Sequence, residues 1–181
     1  MYSPFRIIII TGPKHSGKTL CSLALGELTG WDVVDLDEEV KKQTGKPPRD
    51  LFIEGPEVFK KAEAMALASL IRLQEATSER SRLIIAAGGG LIDNSEAIAM
   101  LSDRCRTIPV YLDISPRTAW QRILADGELP PFLATKNPRE THFALHTRRA
   151  KAYKAFASLT VSVEGKDPDE IALEIMKRLN V

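Results

Sequence analysis

Ile7-Ile8-Ile9-Ile10-Thr11-Gly12-Pro13-Lys14-His15-Ser16-Gly17-Lys18-Thr19 is the stretch on which the fold turns. Its first half is an unbroken run of β-branched residues. Such a run reads as a strand buried on both faces, because a strand with one wet face alternates apolar with polar residues. Its second half fits Gly-x-x-x-x-Gly-Lys-[Ser/Thr]. Gly12 and Gly17 let the backbone turn so that successive N–H groups point inward at an anion. A helix opening near Lys18 adds the positive end of its dipole. Lys18 supplies a point charge for the β and γ phosphates of ATP, and the Thr19 hydroxyl is placed to reach Mg²⁺. Pro13, Lys14, His15 and Ser16 complete the ATP-binding loop, and Leu20 follows in the same helical turn. Lys14 and His15, in the variable part of the motif, read as solvent-facing loop residues rather than catalysts. A chance match is the competing explanation; the buried strand before the motif and the helix-forming run after it speak against chance.

Outward from this loop, apolar β-branched runs alternate with helical patterns. Strands are expected over residues 5–10, 82–87, 107–112 and 159–163, with a short one beginning at 32–34. Helical stretches cover residues 18–28, 95–101 and 116–124, and also Pro56–Ala76, Pro138–Phe156 and Pro168–Leu179. Pro56, Pro116, Pro138 and Pro168 each stand at a helix start, where a missing N–H costs nothing. Ser115 and Asp167 precede two of them as N-caps. Alternating strands and helices call for a parallel sheet covered on both faces. A length of 181 residues with 44% hydrophobic content suits one domain with a proper core. The least regular stretch, 126–137, holds Gly127, Pro130 and Pro131 and is where a lid is expected.

Lys and Arg total 25 against 24 Asp and Glu, a net charge of +1. That balance argues against a nucleic-acid or membrane-surface partner and leaves room for a local cationic pocket. Two cysteines, Cys21 and Cys105, are too few for a disulfide scaffold, and no metal-ligand spacing joins them to His15, His142 or His146. The isoleucine run is too short to span a bilayer. The first residues lack the apolar region of a signal peptide, so the expected location is the cytoplasm; the expected state is a monomer.

Two further clusters carry chemistry. The second strand leads into Asp35-Leu36-Asp37, at the edge where parallel sheets bind their ligands. Extended alternation puts both carboxylates on one side. One then holds Mg²⁺ through its water shell, and the other orients or deprotonates an acceptor hydroxyl. The competing explanation is that they cap a helix over 38–43. The third strand leads into Gly88-Gly89-Gly90, where a ligand or another backbone can come very close.

The ordered set resembles the shikimate kinase family over essentially the whole chain. The set is the phosphate loop at 12–19, Asp35 and Asp37, Phe59-Lys60-Lys61-Ala62-Glu63, Gly88 to Gly90, a lid at 126–137, and Arg149 four residues before Tyr153. The resemblance implies a P-loop kinase fold with a five-stranded parallel sheet in the order 2-3-1-4-5, flanked by helices on both faces. It also implies a substrate-binding region about 37–63. It implies ATP-dependent phosphorylation of shikimate, a small acid, to shikimate 3-phosphate with Mg²⁺. By position, Lys18 and Asp37 resemble the catalytic pair, and Thr19 and Asp35 the metal-associated residues. Asp37, Lys60, Gly88, Gly89, Gly90 and Arg149 resemble the substrate contacts. Glu63 resembles the glutamate that positions the basic residue at Lys60, and Arg122 an arginine over the adenine.

Two positions depart from the family pattern. Lys60 stands where the family has arginine, and a single ammonium is no substitute for a planar fork. Pro130 stands where the lid pattern Arg-Pro-Leu-Leu has its arginine, leaving Lys136 and Arg139 as the nearest lid cations. These departures keep two other readings open: a kinase for a gluconate-like acid or a nucleoside monophosphate, and an ATP-binding regulatory protein with weakened catalysis.

Overall fold

The computed structural model describes residues 6–77, 81–102, 106–127 and 129–181. Phe5 and Cys105 lie outside the described residues. The chain runs β1 (Ile7–Thr11), α1 (Lys18–Thr29), β2 (Asp32–Asp35), α2 (Leu36–Thr44), α3 (Pro48–Glu54) and α4 (Pro56–Ala76). It continues through β3 (Leu83–Ala86), α5 (Ser95–Met100), β4 (Thr107–Asp113), α6 (Pro116–Asp126), α7 (Pro138–Phe156), β5 (Leu159–Ser162) and α8 (Pro168–Leu179). Short 3₁₀ turns cover Leu91–Asp93 and Pro131–Leu133.

The strands pair in parallel in the order β2-β3-β1-β4-β5. The isoleucine run is the middle strand, in register with Leu83–Ala86 on one side and with the start of β4 on the other. Its side chains alternate between two cores. Ile8 and Ile10 pack with Cys21 and Leu25 of α1, Ala119 of α6, and Ile171 and Ile175 of α8. Ile7 and Ile9 pack with Leu36 and Val40 of α2, Leu51 of α3, Leu67 and Leu70 of α4, and Ala97 of α5. All four are essentially fully buried, each contributing roughly 2 kcal/mol of apolar burial. Burial pushes the Cys21 thiol up to about 12, so it is an inert packing group.

The helix starts follow from their caps. The Ser115 side chain accepts from the Thr118 N–H, and Asp167 forms a capping box with Glu170. Two local features differ from the sequence-based expectation. Asp35-Leu36-Asp37 is not extended throughout: α2 begins at Leu36, because the Asp35 carboxylate accepts from the Asp37 N–H at 3.0 Å. Asp35 is therefore both a strand end and a helix cap. The second difference is α3, seven residues opened by Pro47-Pro48, for which no helix was expected.

β1, β2 and β3 end at one level, with Asp35 and Ile10 both in register with Ala86. The loop after β1, the cap after β2 and the glycines after β3 therefore meet at one edge. Among the described residues no helix is long and apolar enough to cross a membrane.

Candidate active site

The phosphate loop closes on itself. The Ser16 N–H donates to the Pro13 carbonyl, and Lys18 Nζ donates to the same oxygen at 2.9 Å. Gly12 is required by contact: a Cβ there would lie 2.7 Å from Ser16 Oγ and 2.9 Å from the Leu112 carbonyl oxygen. Gly17, at φ 91°, turns the chain into α1 with no side-chain cap, leaving the first amides of the helix for an anion. His15 occupies the left-handed region at φ 63°, a conformation that non-glycine residues hold at a cost and that clusters at ligand sites. Arg122 Nη1 donates to the His15 carbonyl at 3.0 Å and fixes this turn. Burial and the neighbouring Lys14 hold the His15 imidazole below its usual pKa, so its 3.7 Å approach to Asp126 is not an ion pair at neutral pH.

A cavity of about 390 Å³ opens over this loop. One wall carries Lys14, His15, Lys18 and Thr19; the other carries Asp37, the three glycines and Arg149. Asp35 lies between them, and its Oδ2 accepts from Thr19 Oγ1 at 2.9 Å. Burial lowers Lys18 to about 8, with Asp37 and Asp35 opposing the shift. Burial, followed by the charge of Asp35, raises Asp37, while Lys18 and Lys14 pull it back down. Asp37 Oδ1 is buried without a hydrogen-bond partner among the described residues.

Each glycine of the triplet answers to a different neighbour. A Cβ on Gly88 would stand 3.1 Å from both Asp37 Oδ1 and Glu63 Oε1. On Gly89 it would stand 2.9 Å from the Lys14 nitrogen, and on Gly90 3.3 Å from Arg149 Nη2. The triplet is thus the seam where the phosphate loop, the α2 carboxylate and the α7 arginine touch.

The basic residues divide between two adjoining cavities. Lys60 does not line the first; it lines a neighbour of about 610 Å³ that also takes in Glu63, Asp93, Arg148, Gly90 and Arg149. Phe52, Phe59, Gly90 and Arg149 line both cavities. Lys60 Nζ pairs with Glu57 at 2.7 Å rather than with Glu63. Glu63 instead accepts from Asn94 Nδ2 at 2.9 Å. Asp93, which local sequence pattern did not single out, holds Arg149, and Arg148 in turn holds Asp93. Arg148 grips Asp93 with two bonds of 2.7 and 2.9 Å, and Arg149 Nε adds a third at 2.8 Å. The Arg149 guanidinium also lies 5.6 Å from the ring of Phe132. Lys136 and Arg139 line a separate surface cavity beside Phe143, away from the phosphate loop. Leu20 is exposed on α1.

The donor set fits magnesium. Thr19 Oγ1 and Asp35 Oδ2 offer hard oxygen ligands side by side, which suits an ion that keeps most of its water and takes the rest from phosphate. Among the described residues no cluster of three or more His, Cys, Asp or Glu exists to bind a metal without that help.

The chain matches the sequence profile of the family described as Shikimate kinase over residues 14–180. It is 35% identical over 171 residues to a shikimate kinase of Salinispora arenicola, covering 93% of this chain and 95% of the relative. The chain belongs to the shikimate kinase family. A shikimate kinase of Thermobifida fusca is 32% identical over 174 residues, covering 96% and 94% of the two chains. The structure of a shikimate kinase from Acinetobacter baumannii, described as in complex with shikimate, superposes with a TM-score of 0.85 at 27% identity, over 98% of this chain and 94% of that one. The fold is accordingly the P-loop kinase fold of this family.

One property of this family member is its buried glutamate. Burial raises Glu63 to about 7 from an ordinary 4.5, with the Asn94 bond opposing. The folded state therefore holds a proton where the unfolded chain has released it. The stability this contributes is complete below the unfolded pKa and is lost as pH rises through the folded value. Glu63→Gln keeps the Asn94 contact and removes the titration. The melting temperature of Glu63→Gln is expected to gain steadily on wild type between about pH 5 and about pH 8. A difference that stays constant across that range rules out a protonated Glu63.

Proposed function

We propose that this chain transfers the γ-phosphoryl group of ATP to a hydroxyl of shikimate, as a single domain acting as a monomer. The observation that carries the reading is the two-sided cavity: Lys18 and the uncapped start of α1 on one wall, Asp37, Gly88 to Gly90 and Arg149 on the other. The phosphate loop, residues 12–19, takes the triphosphate, with Arg122 bracing the loop and bordering the adenine side. Thr19 and Asp35 would hold Mg²⁺, which would supply positive charge against the triphosphate. Asp37 orients the acceptor hydroxyl and takes its proton. Arg149, steadied by Asp93, binds the substrate carboxylate; the Gly88–Gly90 backbone lines the ring, and Lys60 adds charge from the adjoining cavity. The region 37–63 is the acceptor side. The stretch 126–137 is a lid, with Leu129, Pro130, Pro131 and Phe132 already lining the cavity.

The test is ADP release with shikimate, gluconate and a nucleoside monophosphate as separate acceptors. Turnover is expected with shikimate alone. Turnover with another acceptor and none with shikimate rejects the acceptor; ATP binding without any transfer rejects the enzyme. Lys60→Arg is expected to lower KM for shikimate several-fold at nearly constant kcat, because a fork grips a carboxylate at two points.

A further inference from the structure

The transferring phosphoryl group spreads negative charge over three equatorial oxygens, and fixed cations around it lower the barrier. Among the described residues the lid side of the cavity offers none: Leu129, Pro130, Pro131 and Phe132 are uncharged, Asp126 is acidic, and Lys136 and Arg139 face a different cavity. Of the cations lining the cavity, Arg149 is assigned to the substrate carboxylate, and Arg49 on α3 is already engaged within the protein. Lys18 belongs to the phosphate cradle. That leaves Lys14.

We propose that Lys14 is a catalytic residue whose ammonium meets the γ-phosphoryl oxygens as the group passes to the acceptor. This rests on the phosphoryl-transfer reading and adds a residue to it. Three observations support it. Lys14 lines the cavity, and its side chain makes no ion pair among the described residues. Its backbone is pinned: the nitrogen abuts Gly89, where a Cβ would come within 2.9 Å, and the next residue is held in a left-handed turn by Arg122. Lys14 therefore starts at the seam between the phosphate loop and the acceptor wall, with a flexible four-carbon stem to cross it. Its charge also acts on both reacting sides, depressing Lys18 and Asp37 alike. In the step, the acceptor oxygen forms a bond to the γ phosphorus, and the bond to the β–γ bridging oxygen breaks. ADP leaves with that electron pair, and the acceptor proton passes to Asp37. Lys14 exchanges no proton; it offsets charge on the oxygens in flight.

The experiment compares wild type, Lys14→Met and Lys14→Arg. It follows transfer to shikimate, slow ATP hydrolysis without acceptor, and ADP affinity by calorimetry. Lys14→Met keeps the length and loses the charge. It is expected to lower kcat and the hydrolysis rate by about a hundredfold, with ADP affinity within about threefold. Lys14→Arg is expected to recover most of the rate. Adding Pro130→Arg to Lys14→Met is expected to recover part of it by supplying a cation from the lid. If Lys14→Met keeps its rates, or loses rate only in step with ADP affinity, the proposal is overturned. A wild type that hydrolyses ATP but ignores shikimate removes the acceptor assignment alone, and the hydrolysis rates still decide Lys14. A wild type inert in both assays overturns both.

Discussion

Lys18→Ala is expected to lower kcat by about a thousandfold or more and to weaken ATP binding with it. The reason lies in what surrounds the ammonium. Burial brings its pKa down to about 8, and Asp37 and Asp35 keep it from falling further. It is therefore charged at neutral pH, half-buried at the cavity and close to two carboxylates. Its hydrogen bond to the Pro13 carbonyl satisfies one of three donors. A triphosphate in the loop offers the others stronger, charged partners. Alanine removes that cation and also its pull on Asp37, whose pKa then climbs further, so both walls of the cavity are impaired by one substitution. Folding is not the cause of the loss, because a desolvated cation contributes little to stability. The melting temperature of Lys18→Ala should match or exceed that of wild type. Lys18→Arg is not expected to rescue, since a planar fork does not fit a point-charge position. Single-turnover rates at saturating ATP check the claim, and a loss smaller than about tenfold removes Lys18 from the chemistry.

Where the sequence could be read and where it could not follows from how local each signal is. The isoleucine run announced a strand with two dry faces, and the two cores on either side of Ile7 to Ile10 are what those residues required. The helix starts at Ser115-Pro116 and Asp167-Pro168 were visible because capping is decided within four residues. Asp35-Leu36-Asp37 deceived because a two-residue period and the first turn of a helix both place Leu36 inward. The deciding bond, from the Asp37 amide to the Asp35 carboxylate, is the capping alternative that the aspartates also fit. α3 is too short for its periodicity to stand out. Glu57 stands at a helical i,i+3 spacing from Lys60, but the partners of Glu63 and Arg149 depended on contacts that no spacing records. Asp93 reaches Arg148 and Arg149 across more than fifty positions. Asn94 reaches Glu63 across thirty-one. The glycine triplet was legible as a close-approach site, but what approaches it comes from three separate elements.

Asp37→Asn is expected to lower kcat by about a hundredfold to ten-thousandfold while ADP affinity stays within about threefold. The substitution keeps size and position on α2, and the amide can still hydrogen-bond a hydroxyl. What it loses is the ability to take a proton. Asp37 is suited to that task by opposed influences. Burial and Asp35 raise its pKa, and Lys18 and Lys14 restrain the rise. The upward shift makes it a stronger base than a solvated aspartate. Its Oδ1, buried without a partner among the described residues, is the atom left for the acceptor's hydroxyl. KM for shikimate should therefore move much less than kcat, separating proton transfer from binding. The pH profile gives an independent reading. Wild-type kcat falls on the acid side as Asp37 takes up its proton, and in Asp37→Asn that limb disappears because nothing is left to titrate there. A variant that is slow but keeps the acid limb assigns the limb to another group, and one that retains full turnover takes Asp37 out of the reaction altogether.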